Sequence, residues 1–192
     1  MNVRCYKIND VTNNRTRSSG PSGPPINIRI FTMKKQIYKK SVRLKNFSYK
    51  GYYRYFITIC TAGNKNVFNG IESIKWILEI LKEKSVSFKF KILAYCFMPD
   101  HLHILIEGIH ENSDMTGFIK SFKQNTSFHY KKKFNDYLWQ PSFYEHILRT
   151  EEDTVKVVEY IFENPVRKNI VDNYKDYELL GSLEFDIANM LI

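Results

Sequence analysis

The chain has 192 residues, of which 43% are hydrophobic, and this length suits one compact domain with a tail. Its 29 Lys and Arg residues outnumber its 20 Asp and Glu residues, and the resulting net charge of +9 favours a polyanionic partner. Nucleic acid is favoured over a membrane, because no segment has about 20 consecutive apolar residues and no helical stretch resembles a basic amphipathic membrane anchor.

The cysteines and the start of the chain bear on the compartment. Cys5, Cys60 and Cys96 are odd in number and widely spaced, and they match neither a zinc pattern nor a disulfide framework. The start of the chain lacks the apolar core of a signal peptide, so export is not expected. Together these features predict a cytoplasmic protein.

Residues 1–32 differ in composition from the rest. Residues 16–25 are rich in Ser, Gly and Pro without periodicity, which predicts a disordered extension. Met33 then opens a basic stretch, and one explanation is that Met33 is the natural initiator. The sequence thus predicts an extension over residues 1–32, a folded domain over 33–182 and a C-terminal tail over 183–192.

Strand and helix patterns alternate from residue 53 onward. Runs of β-branched and aromatic residues predict strands, and apolar residues repeating every three to four positions predict helices. The predicted elements are a strand at 53–59, a helix at 71–84, a long strand at 88–98, a return strand at 101–107, a helix at 114–133, a hairpin or irregular segment at 139–148, and a third helix that begins after Thr150 and ends at Pro165. This order predicts an α+β ferredoxin-like sandwich, an antiparallel sheet covered on one face by helices.

Two histidines separated by one residue follow the turn at Pro99-Asp100. On a strand, His101 and His103 point to the same face, while Leu102 and Ile104 point to the other. Two imidazoles side by side on a sheet suit a divalent metal ion. The alternative is a pair of exposed histidines on an edge strand.

The third helix carries a second candidate group. Its broadly apolar side consists of Val155, Val158, Ile161 and Phe162. Lys156, Tyr160 and Asn164 are spaced four residues apart and share a stripe away from that side. The Tyr160 phenol suits attack on an electrophile, and the Asn164 amide oxygen suits a metal. The alternative is a tyrosine that packs its ring and leaves its hydroxyl in water.

Four motifs taken together resemble one family. They are YFITICT at 55–61, MPDHLH at 98–103, WQPSFYEHILR at 139–149 and YIFENPV at 160–166. In this order and spacing they resemble the REP-associated tyrosine transposases, single-domain relatives of the IS200/IS605 transposases within the HUH (His-hydrophobic-His) nucleases. The resemblance covers residues 34–182, and it includes the helix FIKSFKQNTS at 118–127.

The resemblance implies a site and a reaction. His101, His103 and Asn164 are the implied ligands of Mg²⁺ or Mn²⁺, and Tyr160 is the implied nucleophile. The implied substrate is single-stranded DNA with a foldback hairpin, cleaved and rejoined through a 5′-phosphotyrosine without a nucleotide cofactor. The resemblance favours a monomer over a dimer.

Five further residues are predicted to contact DNA. Lys120 and Lys123 lie on the second helix, His146 and Arg149 lie in the WQPSFYEHILR block, and Lys156 precedes Tyr160 by one turn. Phosphate contacts of this kind position DNA without specifying its sequence. The alternative for the lysines is a solvated surface position. Lys156 is also a candidate to stabilise the Tyr160 phenolate, and the alternative for His146 is a structural role.

Two other functions remain open at the level of sequence. One is a hairpin-binding protein, derived from such a transposase, that has lost catalysis. The presence of both histidines, the tyrosine and the asparagine at the family's spacing argues against that loss. The other is a replication or conjugation initiator of the same nuclease group. The lack of room for a helicase domain in these 192 residues argues against this alternative.

Overall fold

The computed structural model describes the backbone of residues 3–6 and 35–38 and the complete residues 47–148 and 154–187. The chain divides into two compact units, residues 1–40 and 41–192. In the first, β1 (Val3–Tyr6) pairs antiparallel with β2 (Lys35–Tyr38). Strand β1 lies within the segment predicted to be disordered, so those four residues differ from that expectation. The predicted Thr150 helix cap and the position of Arg149 lie outside the described residues.

The second unit contains the sheet and the helices. Its strands are β3 (Arg54–Cys60), β4 (Phe90–Met98), β5 (His101–Gly108), β6 (Tyr144–Leu148) and β7 (Leu180–Gly181), and its helices are α1 (Ile71–Phe88), α2 (Met115–Phe134), α3 (Thr154–Phe162) and α4 (Asn164–Arg167). The five strands form one antiparallel sheet in the order β6-β3-β5-β4-β7. With α1 and α2, the first four strands in space have the ferredoxin-like arrangement, which confirms the predicted α+β fold.

Alternation along the strands separates two buried layers. Tyr55, Ile57 and Ile59 of β3 pack with Leu102 and Ile104 of β5 in the core that α1 and α2 cover. The opposite face of the sheet is covered by α3, which packs against β4 and β5. The prediction that helices cover only one face is therefore wrong, because all of β5 except Glu107 is buried and both of its faces need cover.

A β-bulge in β4 sets which residues face the histidines. The register with β5 shifts between Ile92 and Ala94, and beyond that shift Cys96 lies opposite His103 and Met98 lies opposite His101. Both histidines are buried, at 8% and 2% exposure. The alternative of exposed histidines on an edge strand is therefore wrong, because β5 lies between β3 and β4.

Helix α1 is longer than its sequence pattern predicts. It continues through Phe88, the residue at which a strand was expected to begin, and ends with Lys89 in the left-handed conformation (φ 60°). Strand β4 therefore begins at Phe90. Helix α2 agrees with the prediction, because the Asp114 side chain accepts a hydrogen bond from the Gly117 backbone N–H and caps the helix.

Two later segments differ from their predicted forms. Residues 139–148 do not form a hairpin; instead, Tyr144–Leu148 adds to the free edge of β3 as β6. Pro165 does not end the helical path either. It occupies the first turn of α4, where a missing backbone N–H costs nothing. The chain therefore breaks at Glu163 and continues for one more helical turn.

Candidate active site

The two histidines converge through one ring nitrogen each. His101 Nε2 and His103 Nε2 lie 3.1 Å apart, so both nitrogens point at the same place. The opposite nitrogens are held by other side chains: His101 Nδ1 lies 2.6 Å from Asp100 Oδ1, and His103 Nδ1 lies 2.9 Å from Thr58 Oγ1. A carboxylate or hydroxyl on the far nitrogen fixes the ring orientation and the tautomer, an arrangement common in metal-binding histidines.

Burial keeps His103 in the neutral form that binds cations. Burial of His103, followed by the charge of His101, lowers the pKa of His103 well below its usual range. The ring is therefore neutral at pH 7, with a lone pair for a ligand. The hydrogen bond with His101 lowers the pKa of the Asp100 carboxyl, so Asp100 is ionised beside the pair.

Tyr160 lies next to His103 on the α3 side of the sheet. Its ring centroid lies 6.3 Å from that of His103 and 5.8 Å from that of Phe56, to which the Tyr160 ring is edge-on. Tyr160 is 8% exposed, so the prediction that its stripe lies away from the buried side of α3 is wrong. The buried side includes Val157, whereas Val155 is 52% exposed.

Asn164 begins α4 and is also buried, at 6% exposure. Its Nδ2 donates to the Tyr160 carbonyl at 3.0 Å and to the Ile161 carbonyl at 3.4 Å. This arrangement ties the amide to the turn that carries Tyr160, and it directs Oδ1 away from those carbonyls. The structure thus brings the two histidines and Tyr160 together, with Asn164 one helical turn from Tyr160.

The donor set fits a hard divalent ion with nitrogen and amide ligands. Within residues 47–148 and 154–187, no group of three or more His, Cys, Asp or Glu side chains gathers to hold a metal. An ion at the histidine pair would therefore need the Asn164 oxygen, or water and substrate oxygens, beyond the two imidazoles. Mg²⁺ and Mn²⁺ accept such mixed sets.

Arg167 is a residue that sequence reasoning missed. Its guanidinium carbon lies 4.1 Å from the centroid of the Tyr160 ring, and Nη2 donates to the Tyr160 carbonyl at 2.6 Å. Arg167 lies seven residues, about two helical turns, after Tyr160, and this spacing becomes a signal only if the helical path continues past Pro165. Thr58 was missed as well, because its link to His103 depends on strand register.

The predicted DNA-contact residues lie in different settings. Lys120 and Lys156 are exposed. His146 is half-buried on β6 and lies opposite Phe56, on the sheet face of the histidine pair. Lys123 Nζ donates to the carbonyls of residues 140, 141 and 142, so it holds the loop that leads into β6. Its contact with DNA stays a prediction, as do those of the other four residues.

In the described part of the chain, no helix is both long enough and apolar enough to span a membrane. The family described as "Transposase IS200 like" matches residues 49–164, which is more than half of the chain and includes both histidines, Tyr160 and Asn164. The matched region thus includes the site residues and four of the five strands of the sheet that carries them.

Two known protein sequences are similar to this chain. An uncharacterized protein of Haemophilus influenzae is 26% identical over 160 residues, covering 67% of this chain and 89% of that protein. A REP-associated tyrosine transposase of Escherichia coli is 28% identical over 102 residues, covering 53% of this chain and 59% of that protein.

A solved structure of a REP-associated tyrosine transposase bound to a REP hairpin is also similar to this chain. It has the same fold, with a TM-score of 0.59 and 19% identity over 72% of this chain and 81% of that one. The chain belongs to the IS200-like transposase family, and its relatives include REP-associated tyrosine transposases.

Proposed function

We propose that this chain cleaves and rejoins single-stranded DNA beside a foldback hairpin, through a covalent bond to Tyr160. The observation that carries the proposal is the packing of the Tyr160 ring against His103, whose Nε2 converges with that of His101. A nucleophile beside a cation-binding pair suits attack on a phosphodiester, where negative charge must be neutralised as it develops.

The cleavage step is an in-line displacement. The Tyr160 Oη–phosphorus bond forms, the bond from phosphorus to the 3′-oxygen breaks, the phenol loses its proton, and the departing 3′-oxygen gains one. The products are a 5′-phosphotyrosine and a free 3′-hydroxyl. Attack by another 3′-hydroxyl reverses the step and joins strands, and no nucleotide cofactor is needed because the covalent bond replaces the phosphodiester.

His101, His103 and Asn164 would hold a divalent ion, Mg²⁺ or Mn²⁺, which supplies charge neutralisation at the phosphate when bound. Asp100 and Thr58 keep the two Nε2 atoms aimed at one point. The buried surroundings of Tyr160 exclude water from the ring, and the Asn164 amide fixes the turn that carries it.

The net charge of the chain and its similarity to a hairpin-bound relative both support hairpin DNA as the partner. The structural relative is bound to a REP hairpin, and the net charge of +9 here suits the same class of polyanion. Exposed Lys120 and Lys131–Lys133 of α2 offer phosphate contacts. Because the histidines, Tyr160 and Asn164 come from one chain, a monomer suffices for the site. The proposed DNA substrate implies a cytoplasmic location.

The test is an assay for the covalent adduct. The protein is mixed with a hairpin oligonucleotide that carries single-stranded flanks from beside its own gene, with Mn²⁺ or Mg²⁺. A denaturing gel then detects any protein–DNA adduct. We expect an adduct that disappears with EDTA and with Tyr160→Phe but persists with Tyr144→Phe, a matched tyrosine on β6. Tight binding without an adduct would instead indicate a non-catalytic hairpin-binding protein.

A further inference from the structure

Arg167 contacts Tyr160 at two points, its ring and its backbone. The guanidinium lies 4.1 Å from the ring centroid, and Nη2 binds the carbonyl of the same residue at 2.6 Å. Both contacts depend on α4, because the helical turn after Pro165 returns Arg167 to the Tyr160 side. Stacking by a planar guanidinium restricts an aromatic ring without burying it completely.

Most of the hydrogen-bonding capacity of Arg167 remains open. Among the residues the structure describes, the Tyr160 carbonyl takes one of its five N–H groups. Arg167 is the last residue of α4, Lys168 follows it, and both residues are exposed. The remaining N–H groups are therefore available to a ligand beside the Tyr160 ring, and their fork matches the oxygens of a phosphate.

The Tyr160 ring on which Arg167 stacks borders the histidine pair. Its centroid lies 6.3 Å from that of His103, whose Nε2 converges with the Nε2 of His101. The guanidinium and the histidine pair therefore both lie close to the same tyrosine ring.

We propose that Arg167 positions the Tyr160 ring and, through its open N–H groups, binds a non-bridging oxygen of the phosphodiester that Tyr160 attacks. The inference rests on the proposed function and names a phosphate-binding group for its site. One face of the guanidinium holds the nucleophile while its edge holds the electrophile. Nucleophile and phosphate are then brought to a fixed separation before the bond forms.

The experiment pairs a protein variant with a substrate variant. Arg167→Gln and wild type are each given the hairpin oligonucleotide with either a normal phosphate or a methylphosphonate at the cleaved position, and single-turnover adduct formation is timed. The methylphosphonate replaces one charged oxygen by a methyl group. Arg167→Lys keeps the charge without the fork. Lys175→Gln is the matched control, because Lys175 lies over the Tyr174 ring, 6.0 Å from its centroid.

We expect Arg167→Gln to slow adduct formation about 10²-fold on the normal phosphate, the usual cost of one lost transition-state donor. The hairpin affinity and melting temperature of Arg167→Gln should match those of Lys175→Gln. The rate of adduct formation by Arg167→Lys should lie between those of wild type and Arg167→Gln. The methylphosphonate should slow wild type at least about tenfold more than it slows Arg167→Gln, because partners in contact are coupled.

Two results would overturn the inference, and they are distinguishable from failure of the proposed function. Independent penalties, in which the methylphosphonate slows both proteins equally, would show that Arg167 does not bind the phosphate. An Arg167→Gln rate equal to wild type would show that it does not position Tyr160. Absence of an adduct with wild-type protein would instead refute the proposed function itself, and the phosphate site with it.

Discussion

The hydrogen bond between Thr58 and His103 offers a prediction with a calculable size. Thr58 Oγ1 lies 2.9 Å from His103 Nδ1, and the two residues are 3% and 2% exposed. Thr58→Val keeps the shape of the side chain and removes the hydroxyl, so the imidazole nitrogen is left buried without that partner. The expected loss in the free energy of unfolding is about 1–3 kcal/mol. Each kcal/mol lowers the melting temperature by roughly 2–4 °C in a chain of this size.

The same substitution should also weaken metal binding, because the Thr58 hydroxyl orients the ring of His103. Without the Thr58 hydroxyl the His103 ring has no fixed tautomer, and Mn²⁺ affinity should fall about 10–100-fold. Thermal unfolding without metal gives the stability, and calorimetric titration with Mn²⁺ gives the affinity. Thr58→Ser is the matched control, because it retains the hydroxyl and should stay close to wild type in both.

If Thr58→Val has the same melting temperature and Mn²⁺ affinity as Thr58→Ser, the Thr58 hydroxyl neither stabilises the fold nor orients His103. A lower melting temperature with unchanged Mn²⁺ affinity would contradict the orienting role and leave Thr58 as a packing residue only. Wild-type protein that binds no Mn²⁺, with or without hairpin DNA, would contradict the metal site itself.

Three further predictions concern the core, the pH response and the second helix. Trp139→Phe removes the 2.8 Å hydrogen bond from Nε1 to Thr126 Oγ1 in the core and should destabilise the protein by about 1–3 kcal/mol in urea unfolding; an unchanged midpoint would contradict this. Because the pKa of His103 is lowered in the folded state, the unfolded chain binds more protons below the usual histidine value of about 6.5. Without metal, the melting temperature should therefore fall as pH drops from 7 through 6.5 toward the folded-state pKa, and His103→Asn should flatten that slope; equal slopes would refute the assignment. Lys123→Met should lower the melting temperature by releasing the loop at 140–142, whereas Lys120→Met should weaken only hairpin binding; the reverse pattern would contradict both roles.

The three central strands of the sheet were predictable because they have short-range signals, whereas β6 and β7 were not predicted as strands. Alternation places His101 and His103 on one face, and the helical spacing of apolar residues predicts α2. The burial of the histidines was not predictable in the same way. It depends on β3 and β4 flanking β5, and on α3 covering the face that a period-of-two pattern would leave to solvent.

Two misleading patterns explain the errors around α3. A helical stripe that contains Lys156, Tyr160 and Asn164 looks polar in sequence, yet tyrosine and asparagine are buried here. The Tyr160 ring packs against Phe56 and His103 of the sheet, and the Asn164 amide donates to carbonyls of α3. Pro165 predicts the end of the third helix, although proline favours the first turn of a new helix as much as it ends an old one. Without α4, nothing in the sequence places Arg167 beside Tyr160.

The measurement that tests the account most directly is the identity of the residue bonded to DNA. Wild-type protein is allowed to react with the hairpin oligonucleotide and Mn²⁺, the adduct is digested with protease and nuclease, and the modified peptide is sequenced by mass spectrometry. We expect a 5′-phosphonucleotide on Tyr160. A modification on Tyr144 or another residue, or cleavage products without any modified peptide, would contradict it.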